Sequence, residues 1–182
     1  KVIGELDVKA LPMVQMYTDA LQCELFRDEV FSGNMTPLLL GEPDQWVALM
    51  LEALRIGAEG RYAQAQALRD QAFEVAPVTG GMIDDTPFEW IADADTRLGP
   101  MIEVIVNGRY YWVPFALIRE IRLDPPEDLR DVVWMPSHFQ WANGGETVGL
   151  IPTRYPGSQH SEDSLLVLAR RTEWVEREAD IF

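Results

Sequence analysis

Asn107-Gly108 lies between two runs rich in β-branched and aromatic residues, Met101-Ile-Glu-Val-Ile-Val106 and Arg109-Tyr-Tyr-Trp-Val113. A two-residue type I′ turn needs φ > 0 at both central positions, and Asn-Gly is the pair that supplies this at least cost. The dipeptide therefore predicts a hairpin and fixes its register. Val106 opposes Arg109, Val104 opposes Tyr111 and Glu103 opposes Trp112. Ile102, Val104, Tyr111 and Val113 then share one face, and Ile105, Tyr110 and Trp112 share the other. Both faces are largely apolar, so the hairpin belongs inside a domain, covered on two sides. Four of the six tryptophans, Trp90, Trp112, Trp134 and Trp141, fall in the surrounding stretch 88–155.

The chain on either side divides. Up to Pro77 it reads as helix. Helical spacing of Val14, Tyr17, Leu21 and Leu25, with Asp28 in register, predicts a helix from Leu11 to Val30 that has Pro12 in its first turn and ends at Ser32-Gly33. Leu38-Leu39-Leu40 is a connector between breakers. A helical pair follows, Gln45–Ile56 with Asp44 as N-cap, and Tyr62–Val75 stopping before Pro77. Gly60-Arg-Tyr62, Ala65, Ala72 and Pro77 stand at the offsets of the second half of a tetratricopeptide repeat, and Leu49 and Ala53 suit its first helix. Small residues at 65 and 72 would let two antiparallel helices approach closely. In that geometry Val47, Met50, Leu54 and Ala58 face a ligand, and their apolar character suits an amphipathic partner helix lying in a groove. The competing reading is that the neighbouring helix 11–30 covers them.

Gly80-Gly81 and Asp84-Asp85 mark a boundary, giving a helical part at 1–80 and a β-rich part at 81–182. Candidate strands are Phe88–Ala92, Met101–Val106, Arg109–Val113, Glu120–Leu123, Val132–Met135, Thr147–Ile151 and Leu165–Arg170. Short strands broken by Pro and Gly predict a small, mostly antiparallel barrel or sandwich, so the fold class is α+β.

Composition narrows the function. The net charge of −15 is spread over both halves, which argues against nucleic acid and anionic membranes as partners and suits protein binding. With one cysteine, Cys23, no intramolecular disulfide can form, and a reducing compartment such as the cytoplasm is expected. The apolar runs are too short to cross a bilayer. The chain does not open on Met, and a preceding N-terminal piece is expected.

No set of residues spells out a reaction. Counting from Asp93 as the first ligand of an EF-hand loop puts Leu98 where Gly belongs and Ile105 where the closing Glu belongs, so Asp93 and Asp95 read as an acidic turn. His138 and His160 lack the company that zinc needs. Asn143-Gly144-Gly145-Glu146 lacks the lysine and spacing of a phosphate loop and reads as a turn between strands. Arg154 reads as a structural ion-pair partner, and the tryptophans as core. No catalytic, cofactor or metal residue is therefore assigned. The enzymatic alternative is a hydrolase using His138 with Asp93 or Asp95. A further alternative is a structural subunit of a larger assembly.

Five segments carry a resemblance that reaches over most of the chain: Phe88-Glu-Trp-Ile-Ala-Asp-Ala-Asp-Thr-Arg-Leu-Gly-Pro100, Val106-Asn-Gly-Arg-Tyr-Tyr-Trp-Val-Pro-Phe115, Pro126-Glu-Asp-Leu-Arg-Asp-Val-Val-Trp-Met-Pro136, Trp141-Ala-Asn-Gly-Gly-Glu-Thr-Val-Gly-Leu-Ile-Pro-Thr-Arg-Tyr-Pro156 and Leu168-Ala-Arg-Arg-Thr-Glu-Trp174. In these the sequence resembles the ImpE/SciE family, the TagJ-type accessory proteins of type VI secretion systems. The resemblance implies a cytoplasmic, non-enzymatic accessory protein linked to virulence. It implies binding of the small sheath subunit (TssB-type) through an N-terminal helix of that subunit, and an influence on sheath assembly or on its recycling by the ClpV unfoldase. The groove residues Val47, Met50, Leu54 and Ala58 come from the helical pattern and not from the family.

Overall fold

Pro12 and Gly33 bracket the first helix as their backbone preferences require. The computed structural model describes residues 11–178. In it α1 spans Leu11–Phe31, and Gly33 (φ +76°) donates to the Val30 carbonyl to end it. A two-residue strand, β1 (Leu38–Leu39), leads to α2 (Gln45–Ala58) and α3 (Tyr62–Val75). These two form an antiparallel hairpin. Ala65 and Ala72 are fully buried in it, and a Cβ on Gly57 would lie 3.4 Å from that of Ala65, so small residues set the close approach. One such hairpin is present among the described residues. A small ribbon follows, β2 (Gly81–Ile83) with β3 (Thr86–Phe88).

The rest is one six-stranded sheet: β4 (Met101–Val106), β5 (Arg109–Pro114), β6 (Ile118–Leu123), β7 (Trp134–Trp141), β8 (Glu146–Pro152) and β1, in the order β1-β5-β4-β8-β7-β6. All pairings are antiparallel except β1 with β5. The two ends of this order, β1 and β6, do not pair, so the sheet is open and the expected barrel or sandwich is not formed. The β4–β5 hairpin has the register that Asn-Gly dictates, with Val106 opposite Arg109 and Glu103 opposite Trp112. Asn107 and Gly108 have φ of 51° and 69°. The β4–β8 joint is closer than usual. A Cβ on Gly149 would lie 2.6 Å from the Ile105 carbonyl oxygen, which explains a glycine inside a strand. Pro136 is tolerated within β7 because its missing N–H falls beyond the end of β6, where Asp124 donates to its carbonyl.

One strand expectation fails and two hold only in part, since Trp134-Met135 opens β7. Val132-Val133 belongs to a short helix, α4 (Leu129–Val133), because Asp128 and Asp131 form a reciprocal capping box there. Leu165–Arg170 is not a strand, since Asp163 caps a helical turn, α5 (Ser164–Val167). Phe88–Ala92 is strand only at Phe88.

Both faces of the hairpin are covered, as its sequence requires. On one, Val104 and Val113 pack with Phe139 and Trp141, joined by Ile118 and Ile121 of β6 and Ile151 of β8, so the sheet's own side chains cover each other. On the other, Ile105, Tyr110 and Trp112 pack under α1 and α2 with Val30, Trp46, Val47 and Met50. Phe26 meets Tyr110 edge-on, and Phe31 lies against Trp112.

The contact face of α1 is not the leucine face. Leu21 and Leu25 are 58% and 70% exposed, whereas Ala20, Cys23, Glu24, Arg27 and Val30 are buried. The reason lies across the interface. Arg27 makes a bidentate pair with Glu103 of β4, at 2.5 and 2.6 Å. Tyr110 donates to Glu103, and Trp112 donates to Tyr110 at 2.6 Å. Glu24 accepts from Trp134 at 2.9 Å and lies 3.8 Å from Arg154, while Arg27 also donates to the Arg154 carbonyl at 2.9 Å. Two carboxylates and two guanidiniums thus balance in one buried network. Burial opposes the Arg27 charge, yet Glu103, with Tyr110 and Glu24 behind it, outweighs burial and holds its pKa above the ordinary arginine value. Burial and the neighbouring carboxylate push the Tyr110 hydroxyl well up.

Arg27→Ala is expected to cost about 3–5 kcal/mol, because it leaves Glu103 charged and unpaired in the core. Arg27→Met with Glu103→Leu, which removes both charges, is expected to recover a large part of that loss. Urea unfolding of the two variants beside wild type checks the comparison.

Candidate functional site

The Asp93–Gly99 segment folds on itself before it lines anything. Asp93 accepts from the Asp95 N–H at 2.8 Å, Asp95 accepts from the Arg97 N–H at 3.0 Å, and the Asp93 N–H donates to the Gly99 carbonyl at 2.7 Å. This is the self-capped acidic turn that the residue types predict. Asp95 is then clamped by the Arg97 guanidinium through both oxygens, and that guanidinium stacks 4.7 Å over the Phe31 ring at the end of α1.

This turn forms one wall of a cleft of about 520 Å³. The C-terminal end of α2 (Leu54, Ala58) and the α3 residues Tyr62 and Arg69 form a second wall. Tyr155 and the segment 171–177, with the exposed Trp174, complete it. The walls are part apolar and part charged, with Arg97 paired to Asp95 and Arg171 to Glu173.

The four groove candidates divide. Val47 and Met50 are 2% and 0% exposed and pack in the core between α1 and the sheet. Leu54 is buried but borders the cleft, and Ala58 is exposed at its rim. They do not form one open groove. The pattern-based reading missed Arg69, which is 5% exposed. A sequence signal was available: Ala65, Arg69 and Ala72 share one helical stripe, which places an arginine on the packed face.

Burial, with Asp93 next, raises the Tyr155 hydroxyl to about 12. Burial likewise pushes the Asp93 carboxyl above its ordinary value, partly offset by the hydrogen bond from the Asp95 N–H.

The hydrolase alternative does not assemble. The acidic partner of His138 is Asp124, at 3.1 Å on the surface, and not Asp93 or Asp95. His138 and Asp95 line different clefts. His160 lies 3.4 Å from Gln159. Cys23 is buried against the hairpin turn, its thiol donating to the Gly108 carbonyl at 3.5 Å. Burial, Asp19 and Glu24 push that thiol up to about 11. Among the described residues no group of three or more His, Cys, Asp or Glu could hold a metal ion. No described helix is long and apolar enough to cross a membrane. The Asn143–Gly145 segment is a turn in which Gly145 N–H donates to Asn143. Arg154 belongs to the core network, and Trp112, Trp134 and Trp141 are buried while Trp90 is exposed.

Comparison with known proteins now bears on the site. The family model described as ImpE protein matches residues 85–182. The chain belongs to the ImpE family. It is 53% identical over 176 residues to the type VI secretion system accessory component TagJ of Pseudomonas aeruginosa strain PAO1. That match covers 97% of this chain and 63% of the relative, so the chain spans less than two thirds of the relative's length. The crystal structure of protein VPA1032 from Vibrio parahaemolyticus shares the fold, with a TM-score of 0.84 and 26% identity, over 96% of this chain and 65% of that one. The family match covers β4 to β8 of the sheet, the Asp93–Gly99 turn and the C-terminal wall of the cleft, and leaves out β1 and the helical hairpin that forms the other wall.

Asp93→Asn tests the electrostatics of the turn. A carboxyl whose folded pKa is raised is destabilising when ionised. The penalty is absent below about pH 3.8 and complete once pH exceeds the folded value. The variant is therefore expected to melt above wild type at pH 7, with the gain shrinking to nothing as pH falls below 4. Thermal melts across that range check both sign and window.

Proposed function

We propose that this protein is a non-enzymatic adaptor of a bacterial type VI secretion system that works in the cytoplasm. It binds the small sheath subunit (TssB-type) through an amphipathic helix of that subunit, and through this contact modulates sheath assembly or ClpV-dependent recycling. The observation that carries the reading is the 53% identity, over 97% of this chain, to a type VI secretion accessory component.

The cleft supports it physically. The helical part, residues 1–80, supplies its apolar rim at Leu54, Ala58 and Tyr62, and the β-rich part, residues 81–182, supplies the opposite wall. A helix of the partner would bury its apolar stripe against that rim and leave its polar face in water. The tetratricopeptide-like offsets of α2 and α3 fit this use, with the first helix of the pair presenting residues toward a ligand. Val47 and Met50, being core residues, support the wall from behind, and Leu54 and Ala58 are the contact positions.

Fluorescence anisotropy with a labelled peptide from the N-terminal helix of the sheath subunit tests the reading. Ala58→Asp, at an exposed position, is expected to weaken binding roughly tenfold or more, the effect of a charge set against an apolar contact. Its melting temperature should stay within a few degrees of wild type. Unchanged affinity in the folded variant would remove this cleft as the binding surface. A peptide that fails to bind wild type would remove the sheath-subunit reading.

A further inference from the structure

Arg69 is a buried guanidinium with no carboxylate to hold it. Among the described residues no acid lies within ion-pair distance of it. Its Nη2 donates to Gln66 at 2.8 Å, and its Nε has no partner among the described residues. The nearest charges explain why. Asp70 and Asp95 favour its charge and Arg97 opposes it, but both oxygens of Asp95 are already engaged by Arg97. Two guanidiniums thus face one carboxylate at the edge of the cleft, in a chain whose net charge is −15. Arginine does not shed its proton to escape burial. A guanidinium buried without a counter-charge is costly, and the other two inward arginines of the fold, Arg27 and Arg154, both have acids beside them. The free Nε–H leaves one buried donor for an acceptor from outside, and a carboxylate is the acceptor that would also answer the charge.

We propose that the cleft is a carboxylate-recognition site in which Arg69 holds an acidic side chain of a bound protein segment, while Leu54, Ala58 and Tyr62 take that segment's apolar side chains. The segment is an amphipathic one, because apolar side chains and the unanswered Arg69 line the same cleft. This rests on the adaptor reading for the identity of the segment, but the recognition of a carboxylate at Arg69 does not. It also accounts for an arginine on the stripe that otherwise carries only Ala65 and Ala72. Burial holds the Arg69 pKa below the ordinary arginine value, as an uncompensated charge requires.

Two arms on the whole chain test the proposal. In the first, glutarate and inorganic phosphate are titrated at constant ionic strength, with chloride as control. The readouts are the Arg69 Nε–H resonance and the melting temperature. Glutarate is expected to give a saturable shift and a higher melting temperature, both lost in Arg69→Gln and partly kept in Arg69→Lys. In the second, each Asp and Glu of the sheath-subunit helix peptide is changed singly to Asn or Gln. One position is expected to weaken binding by roughly ten- to a hundredfold, as for a lost charged hydrogen bond, and to have no further effect on the Arg69→Gln background. If Arg69→Gln does not fold, Arg69→Lys carries the same coupling test. Saturation by glutarate with no peptide binding would uphold the carboxylate site and sink the sheath-subunit reading. Peptide binding with no acidic position coupled to residue 69, and no saturable glutarate response, would overturn the carboxylate site. Saturation by phosphate alone, with neither glutarate nor an acidic peptide position coupled to Arg69, would also overturn it.

Discussion

The Arg27–Glu103 pair decides how the molecule is put together. Each partner is almost wholly removed from solvent, and removing a charge from water is unfavourable unless its counter-charge arrives in good geometry. The bidentate contact, with Tyr110 and then Trp112 in series behind Glu103, meets that demand at one orientation of α1 over the sheet. A slide or rotation of the helix would strand two charges in the core. The apolar contacts of Phe26 and Phe31 with Tyr110 and Trp112 could tolerate small shifts; the ion pair could not. The pair therefore supplies register to an interface whose apolar area supplies most of the attraction.

That register propagates to the cleft. With α1 fixed, Phe31 comes to rest under Arg97, which in turn engages both oxygens of Asp95. Gly33 just beyond packs so closely on Ala58 that a Cβ there would lie 2.8 Å away. The end of α2 and the acidic turn are thereby held to the same helix terminus. Arg69 has no acid within ion-pair distance among the described residues for a related reason: Asp95, which would answer it, is engaged by Arg97. The charge imbalance of the cleft follows from the same chain of contacts that begins at Glu103.

Much of this was legible from the sequence wherever local chemistry decides. Asn107-Gly108 gave the hairpin register residue by residue, and Pro12, Gly33, Gly60 and Pro77 placed three helices to within a few residues. The acidic turn at 93–99 was legible because Asp side chains answer nearby N–H groups. What was not legible depended on partners far along the chain. The leucine spacing of α1 named the wrong face, since nothing near Arg27 announces Glu103 seventy-six positions away. Val132-Val133 carries a strand's composition, but the capping box of Asp128 and Asp131 just upstream turns it into helix. The open sheet, and the inclusion of Leu38-Leu39 in it, depend on pairing between distant segments, which periodicity does not report. Helical offset alone does not separate Ala58, at the cleft rim, from Met50, in the core, because which side of α2 the sheet covers depends on distant segments, and Arg69 shares a stripe with Ala65 and Ala72.

The pairing of β1 on β5 has a consequence for how this fold can meet other chains. It caps one margin of the sheet at its centre and leaves β6, Ile118–Leu123, as the long unpaired margin. That strand carries Arg119, Glu120 and Arg122, is bulged at its start, and runs into Asp124-Pro-Pro126. Alternating charge, a kink and prolines all discourage a foreign strand from zipping on. Growth of the sheet by intermolecular pairing, the route to both fibrils and strand-donor complexes, is thus disfavoured along this margin.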